Sequence, residues 1–176
     1  MPRREATFAV NAPPEELWRF IRDFQSLCTC IPGVERIQVL DDSSTELTVK
    51  EKVGVVPLIV TLKAQIASEE PPNRLHASAK AEHLTMAIDV TLRGTATGTE
   101  LTSVFDVRGE GQLKAIVDRL FERRATERAA QFAECLGKHF GAAPAARAAP
   151  PRAGRVRQWL ARIWRRLLGR SAPSGE

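Results

Sequence analysis

The chain has 176 residues and a formal net charge of +5, a size that fits one ordinary domain with an extension. Residues 1–140 carry 18 basic and 20 acidic side chains, whereas residues 141–176 carry eight arginines and one glutamate. The basic excess therefore belongs to the extension, and the domain lacks the basic surface of a nucleic-acid-binding protein. We expect no nucleic-acid partner.

The first 30 residues predict a strand followed by two short helices. Residues 5–10 place Phe8 and Val10 on one face of a strand. Pro13 and the acidic residues after it favour a helix start, and residues 23–30 predict a second helix. No apolar signal core is present near the N-terminus, so we expect the domain to stay on the cytoplasmic side.

A run of strands and one long helix follow. We predict strands at residues 34–40, 46–53, 58–67, 75–81, 84–92 and 100–107. Short turns between successive strands indicate an antiparallel sheet. Residues 111–140 predict a helix about 45 Å long. This order predicts an α+β fold in residues 1–140, with a curved antiparallel sheet wrapped on a long C-terminal helix.

The predicted inward faces carry many small residues. These are Ala64, Ala77, Ala79 and Ala81 on the strands and Ala125, Ala129 and Ala130 on the helix. Small residues either allow close packing or leave an apolar cavity, which is usually a ligand site. We favour a cavity lined by Leu47, Val49, Val60, Leu62, Ala64, Ala77, Ala79, Met86, Ile88, Val90, Phe105, Leu120, Phe121, Ala125, Ala129 and Phe132.

Two charged residues share the inward side of this arrangement. Strand alternation places Glu51 there, and helical phase places Arg128 there, with Arg124 nearby. They lie either at a solvated rim or inside the cavity, where they would form a polar handle for a ligand.

Cysteine and histidine positions indicate neither a metal site nor a catalytic one. The chain has an odd number of cysteines, namely Cys28, Cys30 and Cys135. Their spacing fits neither a disulfide framework nor a zinc motif. We therefore predict three reduced thiols. The three histidines show no metal spacing, no nucleophile or phosphate-binding motif is present, and we expect no catalytic residue and no covalent cofactor.

The C-terminal extension predicts a linker, a helix and a short disordered tail. Residues 141–154 are rich in alanine and proline, as in a flexible linker. Residues 155–170 contain Arg155 and five further arginines, and their apolar residues fall on one helical face: Val156, Trp159, Leu160, Ile163, Trp164, Leu167 and Leu168. Residues 171–176 form the predicted disordered tail.

An arginine-rich amphipathic helix of this kind is typical of the surface of an anionic membrane. At sixteen residues, six of them arginine, it is too short and too charged to span a bilayer. A groove on a partner protein and docking on its own domain are the alternatives.

Several short segments resemble one known family. They are APPEELW at residues 12–18, DF at 23–24, IPGVE at 31–35, KVG at 52–54 and GTEL at 98–101, with Phe132 near the end. Together they resemble the G-subunit family of carbon monoxide dehydrogenase, within the START-like helix-grip superfamily, over residues 5–140. The Ile31-Pro32-Gly33 turn would then shape the mouth of the cavity.

The resemblance implies a non-enzymatic accessory protein of a molybdenum carbon monoxide dehydrogenase or a related molybdenum hydroxylase. Such a protein would attach peripherally to the cytoplasmic side of the cell membrane. It would carry a lipophilic isoprenoid quinone, menaquinone or ubiquinone, to the dehydrogenase. The alternative is a tether that recruits the dehydrogenase without binding a ligand. A small-molecule enzyme of the same superfamily would need a polar cavity, which the apolar inward faces argue against.

Overall fold

The structure is a computed structural model and describes residues 3–53, 55–141 and 147–148. Its elements in chain order are β1 (Arg3–Val10), α1 (Pro14–Arg22), α2 (Phe24–Cys30), β2 (Val34–Val39), β3 (Ser44–Val53), β4 (Val56–Glu70), β5 (Arg74–Ala81), β6 (Leu84–Thr95), β7 (Gly98–Gly109), α3 (Leu113–Phe140) and β8 (Arg147–Ala148). The strands form one antiparallel sheet in the order β2-β3-β4-β5-β6-β7-β1-β8. The predicted α+β fold with a long C-terminal helix is confirmed.

The two short helices begin as their sequences predict. Pro14 opens α1, and Glu15 and Glu16 lie in its first turn, at the positive end of the helix dipole. Asp23 caps α2, where its carboxylate accepts a hydrogen bond from the backbone N–H of Gln25 at 3.1 Å. The hydroxyl of Ser26 also donates to Asp23 and lowers the pKa of that carboxyl group.

Strand register aligns the inward residues in rows across the sheet. One row joins Thr45, Ala64, Ala79, Met86 and Val107 from β3 to β7. The next row joins Ile66, Ala77, Ile88 and Phe105 from β4 to β7. The three alanines therefore lie side by side in the middle of the sheet, as strand alternation predicts.

The buried core is divided into two clusters. Cluster 1 lies where α1 and the end of α3 meet the sheet, and it comprises Phe8, Val10, Ala12, Leu17, Trp18, Ile21, Leu75, Leu92, Leu101 and Leu136. Cluster 2 lies at the β2–β3–β4 end and comprises Cys28, Leu47 and Leu62. Partly buried apolar residues pack around each cluster. The rows of small residues lie between them.

The long helix α3 packs on one edge region of the sheet, against β7 and β1, and on α2. Phe132 contacts Phe8 edge to face, with ring centroids 5.3 Å apart, and Leu136 is fully buried in cluster 1. Ala130 is exposed, contrary to our placement of it on the inward face. One residue is a rotation of about 100° along a helix, and α3 turns Ala129 toward cluster 1 and Ala130 toward solvent.

Several strands are longer than predicted. β4 continues to Glu70, which pairs with Arg74, and β6 continues to Thr95, which pairs with Gly98. Backbone hydrogen bonding thus extends into segments whose polar residues had predicted turns. In addition, Arg147 and Ala148 of the predicted linker pair with Thr7 and Ala6 of β1. The predicted membrane helix and the tail lie outside the described residues.

For the form that the structure describes, the prediction of three reduced thiols is wrong. Cys30 and Cys135 form a disulfide, and Cys28 is free and buried. The bonded cysteines are 105 residues apart, so their spacing carries no signal. They meet because α2 packs on α3, a tertiary contact that a local motif cannot indicate.

Candidate functional site

The residues predicted to line a cavity fall into three groups. At the cluster 2 end, Leu47 and Leu62 are buried, and Val49, Val60 and Ala64 pack against them. At the cluster 1 end lie four residues that are partly buried against that cluster, namely Ala77, Val90, Ala129 and Phe132.

The third group lies between the clusters. Met86, Ile88 and Phe105 of the sheet and Leu120 and Ala125 of α3 are partly exposed, and none belongs to either cluster. Ala79 lies beside Met86 and is buried. The side chain of Phe121 lies outside what the structure describes. We call Met86, Ile88 and Phe105 the apolar strip.

A group of charged residues adjoins the cluster 2 end of the inner face. Arg128 of α3 donates hydrogen bonds to the backbone carbonyl of Pro32 and to Oε1 of Glu51 on β3. The side chains of Arg128 and Glu51 are 26% and 22% exposed. This ion pair therefore joins the long helix to a strand on the opposite side of the sheet from β7 and β1.

The second oxygen of Glu51 is poorly satisfied. Oε2 is buried and has no hydrogen-bond partner among the described residues. Arg124 lies close by, with its Nη1 3.5 Å from Oε2. Arg124 is itself 40% exposed. We call Glu51, Arg124 and Arg128 the polar corner; it holds two cations, one anion and an acceptor available to a further donor.

Gly33 makes room for this arrangement. Its φ is +87°, and a Cβ atom there would lie 3.0 Å from Nη1 of Arg128 and 3.0 Å from the carbonyl oxygen of Lys50. The backbone N–H of Lys50 donates to the carbonyl of Gly33 at 2.8 Å. Only glycine combines the left-handed conformation with this close approach. The Ile31-Pro32-Gly33 turn thus serves as the docking point of Arg128.

Sequence patterns placed Glu51 and Arg128 on the inward side, but they did not pair them. The contact with Pro32 was also missed. A glycine within a Pro-Gly turn was the available signal, since such a glycine often permits a close approach.

The predicted membrane residues lie outside the described part of the chain: Arg155, Trp159, Leu160, Ile163, Trp164, Leu167 and Leu168.

Two open clefts lie elsewhere on the surface. One of about 350 Å³ lies between residues 11–14 and residues 94–98. The other, of about 260 Å³, lies near the β4–β5 turn and is lined mainly by polar residues, including His76 and Asp89, with Leu75 and Val90. None of the inner-face alanines lines either cleft, so both are separate from the apolar strip.

Comparison with known proteins identifies one sequence family and one fold. The model of the CoxG family, described as the G subunit of carbon monoxide dehydrogenase, matches residues 7–141. No curated protein matches the chain.

Solved structures share the fold at low sequence identity. A conserved protein from Geobacillus kaustophilus is 16% identical with a TM-score of 0.66, covering 79% of this chain and 95% of its own. A START superfamily protein from Mycobacterium smegmatis is 15% identical with a TM-score of 0.62, covering 78% and 96%. The fold is therefore START-like, as the sequence segments implied.

Removing Arg128 should cost more stability than removing Arg124. Arg128→Met leaves a partly buried carboxylate without its hydrogen-bond donor, and we expect a loss of about 1–3 kcal/mol in the free energy of unfolding. Arg124→Met should cost less than about 1 kcal/mol, because ion pairs open to solvent contribute little. Urea unfolding of both variants measures the difference.

The double variant Glu51→Gln with Arg128→Met provides the control. Its loss in the free energy of unfolding should be smaller than the sum of the losses in Glu51→Gln and Arg128→Met, because both substitutions remove the same ion pair. Equal losses for Arg128→Met and Arg124→Met would contradict the described role of Arg128.

Proposed function

We propose that this chain, which belongs to the CoxG family of carbon monoxide dehydrogenase, is an accessory protein that binds a hydrophobic ligand on the inner face of its sheet. The observation that carries this proposal is the apolar strip. Its residues point to the side that a soluble domain normally fills, yet they remain partly exposed between two separate core clusters. Partly exposed apolar surface of this kind marks a binding site.

The ligand is an isoprenoid quinone, menaquinone or ubiquinone. Its polyprenyl chain is apolar and suits Met86, Ile88 and Phe105, together with the small side chains beside them. Its ring carries two carbonyl oxygens, which only accept hydrogen bonds. A matching site therefore needs an apolar surface with donors at one end, and the polar corner supplies donors next to the inner face.

The polar corner suits both redox states of such a ring. A quinone carbonyl accepts hydrogen bonds from Arg124, while a quinol hydroxyl donates to Oε2 of Glu51, which has no partner among the described residues. A buried acceptor without a donor is unfavourable, so a ligand hydroxyl at this position would stabilise the complex. The protein takes no part in the redox chemistry and needs no catalytic residue for this function.

The quinone is collected at the cytoplasmic side of the cell membrane, where the protein is peripheral. Residues 155–170 lie on the anionic surface, with Trp159 and Trp164 inserted and the arginines near lipid phosphate. In the described residues, no helix is both long and apolar enough to cross a membrane. The quinone is then delivered to a molybdenum hydroxylase of the carbon monoxide dehydrogenase type, which reduces it.

A phenylalanine on the inner face distinguishes a ligand site from a filled core. Ala77 lies beside Ile88 of the apolar strip and is only partly buried. Ala77→Phe should abolish quinone uptake while changing the free energy of unfolding by less than about 1 kcal/mol, because the added ring occupies the ligand's space. A filled core would instead be overpacked, at a cost of about 1–3 kcal/mol. Uptake is measured by incubating the protein with menaquinone-loaded vesicles, isolating the protein and extracting it.

Thr61→Phe is the matched control for that variant, because Thr61 is exposed on the outer face of β4. It should leave uptake unchanged. If Ala77→Phe retains full uptake, the ligand does not bind on the inner face. If the unmodified protein recruits the dehydrogenase but takes up no quinone, the result would favour the tether.

Two glutamates on the apolar face of the predicted tail helix should abolish membrane binding. Trp159→Glu with Trp164→Glu places charges where apolar side chains enter the bilayer, and we expect the loss of about 90% or more of flotation with phosphatidylglycerol-rich vesicles at physiological salt. Gln158→Glu changes the polar face and serves as the control. Flotation of the double variant at the unmodified level would rule out insertion of this helix.

A further inference from the structure

Two cysteines and a histidine meet where α2 packs against α3. Cys30 is the last residue of α2, whereas Cys135 and His139 belong to α3. The two sulfur atoms and one ring nitrogen of His139 all lie within 4.8 Å of one another. Cys135 and His139 are four residues apart, a spacing that places two side chains on one helical face and recurs in helical metal sites.

Thiolate and imidazole groups are typical ligands for a thiophilic divalent cation. Zn²⁺ binds thiolate sulfur at about 2.3 Å and imidazole nitrogen at about 2.0–2.1 Å, in a tetrahedral arrangement. Such distances place neighbouring ligand atoms about 4 Å apart, so the two sulfur atoms, which are bonded to each other in the structure, have to move apart on reduction, whereas the histidine nitrogen already lies within 4.8 Å of both. Two thiolates balance the charge of the ion, so a neutral site would lie at the helix contact.

Its surroundings favour an ordered site with a route for the ion. Cys30 is buried, Cys135 is partly buried and His139 is exposed, so one side is closed and the other faces solvent. The ring of Phe20 packs on His139, with centroids 5.0 Å apart, and holds the imidazole against the domain. A fourth position remains for a water molecule, as in other three-ligand zinc sites.

We propose that the reduced protein binds one Zn²⁺ through Cys30, Cys135 and His139, and that the disulfide form does not. Reduction breaks the bond between the two sulfur atoms. The two electrons and two protons come from a dithiol, which is itself oxidised to a disulfide. Zn²⁺ then displaces the two thiol protons into solvent.

The cytoplasmic side of a membrane favours the reduced form. Disulfides are rare where cellular dithiols keep thiols reduced, so the covalent link between α2 and α3 would be lost there. The metal restores a link between the same residues, immediately before the Ile31-Pro32-Gly33 turn that holds Arg128. Zinc binding at this position does not depend on which ligand the inner face holds.

The remaining cysteine provides an internal control. Cys28 is 6% exposed and lies in cluster 2, outside the group of three. Burial, together with the negative charge of Asp23, raises the pKa of Cys28 to about 11. Its thiol is buried in cluster 2, away from the three ligand atoms, and therefore does not compete for the ion.

The test uses the full-length protein, reduced with a phosphine, freed of reductant without oxygen and titrated with Zn²⁺ against a chromophoric chelator. Co²⁺ serves as the spectroscopic probe, because thiolate ligands give it charge-transfer absorption in the near ultraviolet. We expect about one equivalent of Zn²⁺ per reduced chain and about none per oxidised chain, because oxidation removes both thiolates. Circular dichroism checks that each variant is folded.

Three variants assign the ligands. Cys28→Ser should bind as the unmodified protein does. His139→Gln should bind at least about tenfold more weakly, since it loses one ligand, whereas His139→Cys should retain binding and gain thiolate absorption. The proposal is overturned if the reduced protein binds no Zn²⁺, if His139→Gln binds as tightly as the unmodified protein, or if Cys28→Ser alone removes binding.

Discussion

A single long helix has to be held over a sheet that it covers only in part. Apolar packing fixes the C-terminal half of α3, where Phe132 meets Phe8 and Leu136 is buried. Closer to its middle, the helix reaches β3 and the turn before β2 through the guanidinium group of Arg128. These two attachments lie at opposite sides of the sheet, and the buried core forms two clusters with the apolar strip between them.

The Arg128 contact is an unusual means of closing a domain. A partly buried ion pair contributes little net stability but demands a specific geometry, since leaving one partner alone is costly. Gly33 allows that geometry because it has no side chain. A Cβ atom there would lie 3.0 Å from Nη1 of Arg128 and 3.0 Å from the carbonyl oxygen of Lys50. The same contact leaves Oε2 of Glu51 and the partly exposed Arg124 next to the inner face. Closing the fold and offering polar groups to a ligand are therefore two consequences of one arrangement.

Most of the fold could be predicted from the sequence, because the strands and helices follow local patterns of apolar and polar residues. Alternation in residues 58–66 and 84–92 predicted the inward faces, and Pro13, Pro14 and the acidic residues after them predicted the first helix. Helical phase placed Arg128 inward, but it also placed Ala130 there, which is exposed, because neighbouring helix positions differ by only about 100° of rotation. Strand ends were missed because backbone pairing continues through Glu70 and Thr95 regardless of their polarity. The Cys30–Cys135 bond and its neighbour His139 depend on the packing of α2 against α3, which no spacing in the chain reveals.

Quinone binding on the inner face is tested most directly by mass spectrometry of an organic extract of the full-length protein, purified from membranes of its own host. We expect a stoichiometric isoprenoid quinone in that extract, together with its quinol where the preparation is kept free of oxygen. An extract without any quinone, from a protein that still captures a molybdenum hydroxylase, would contradict the carrier and leave the tether.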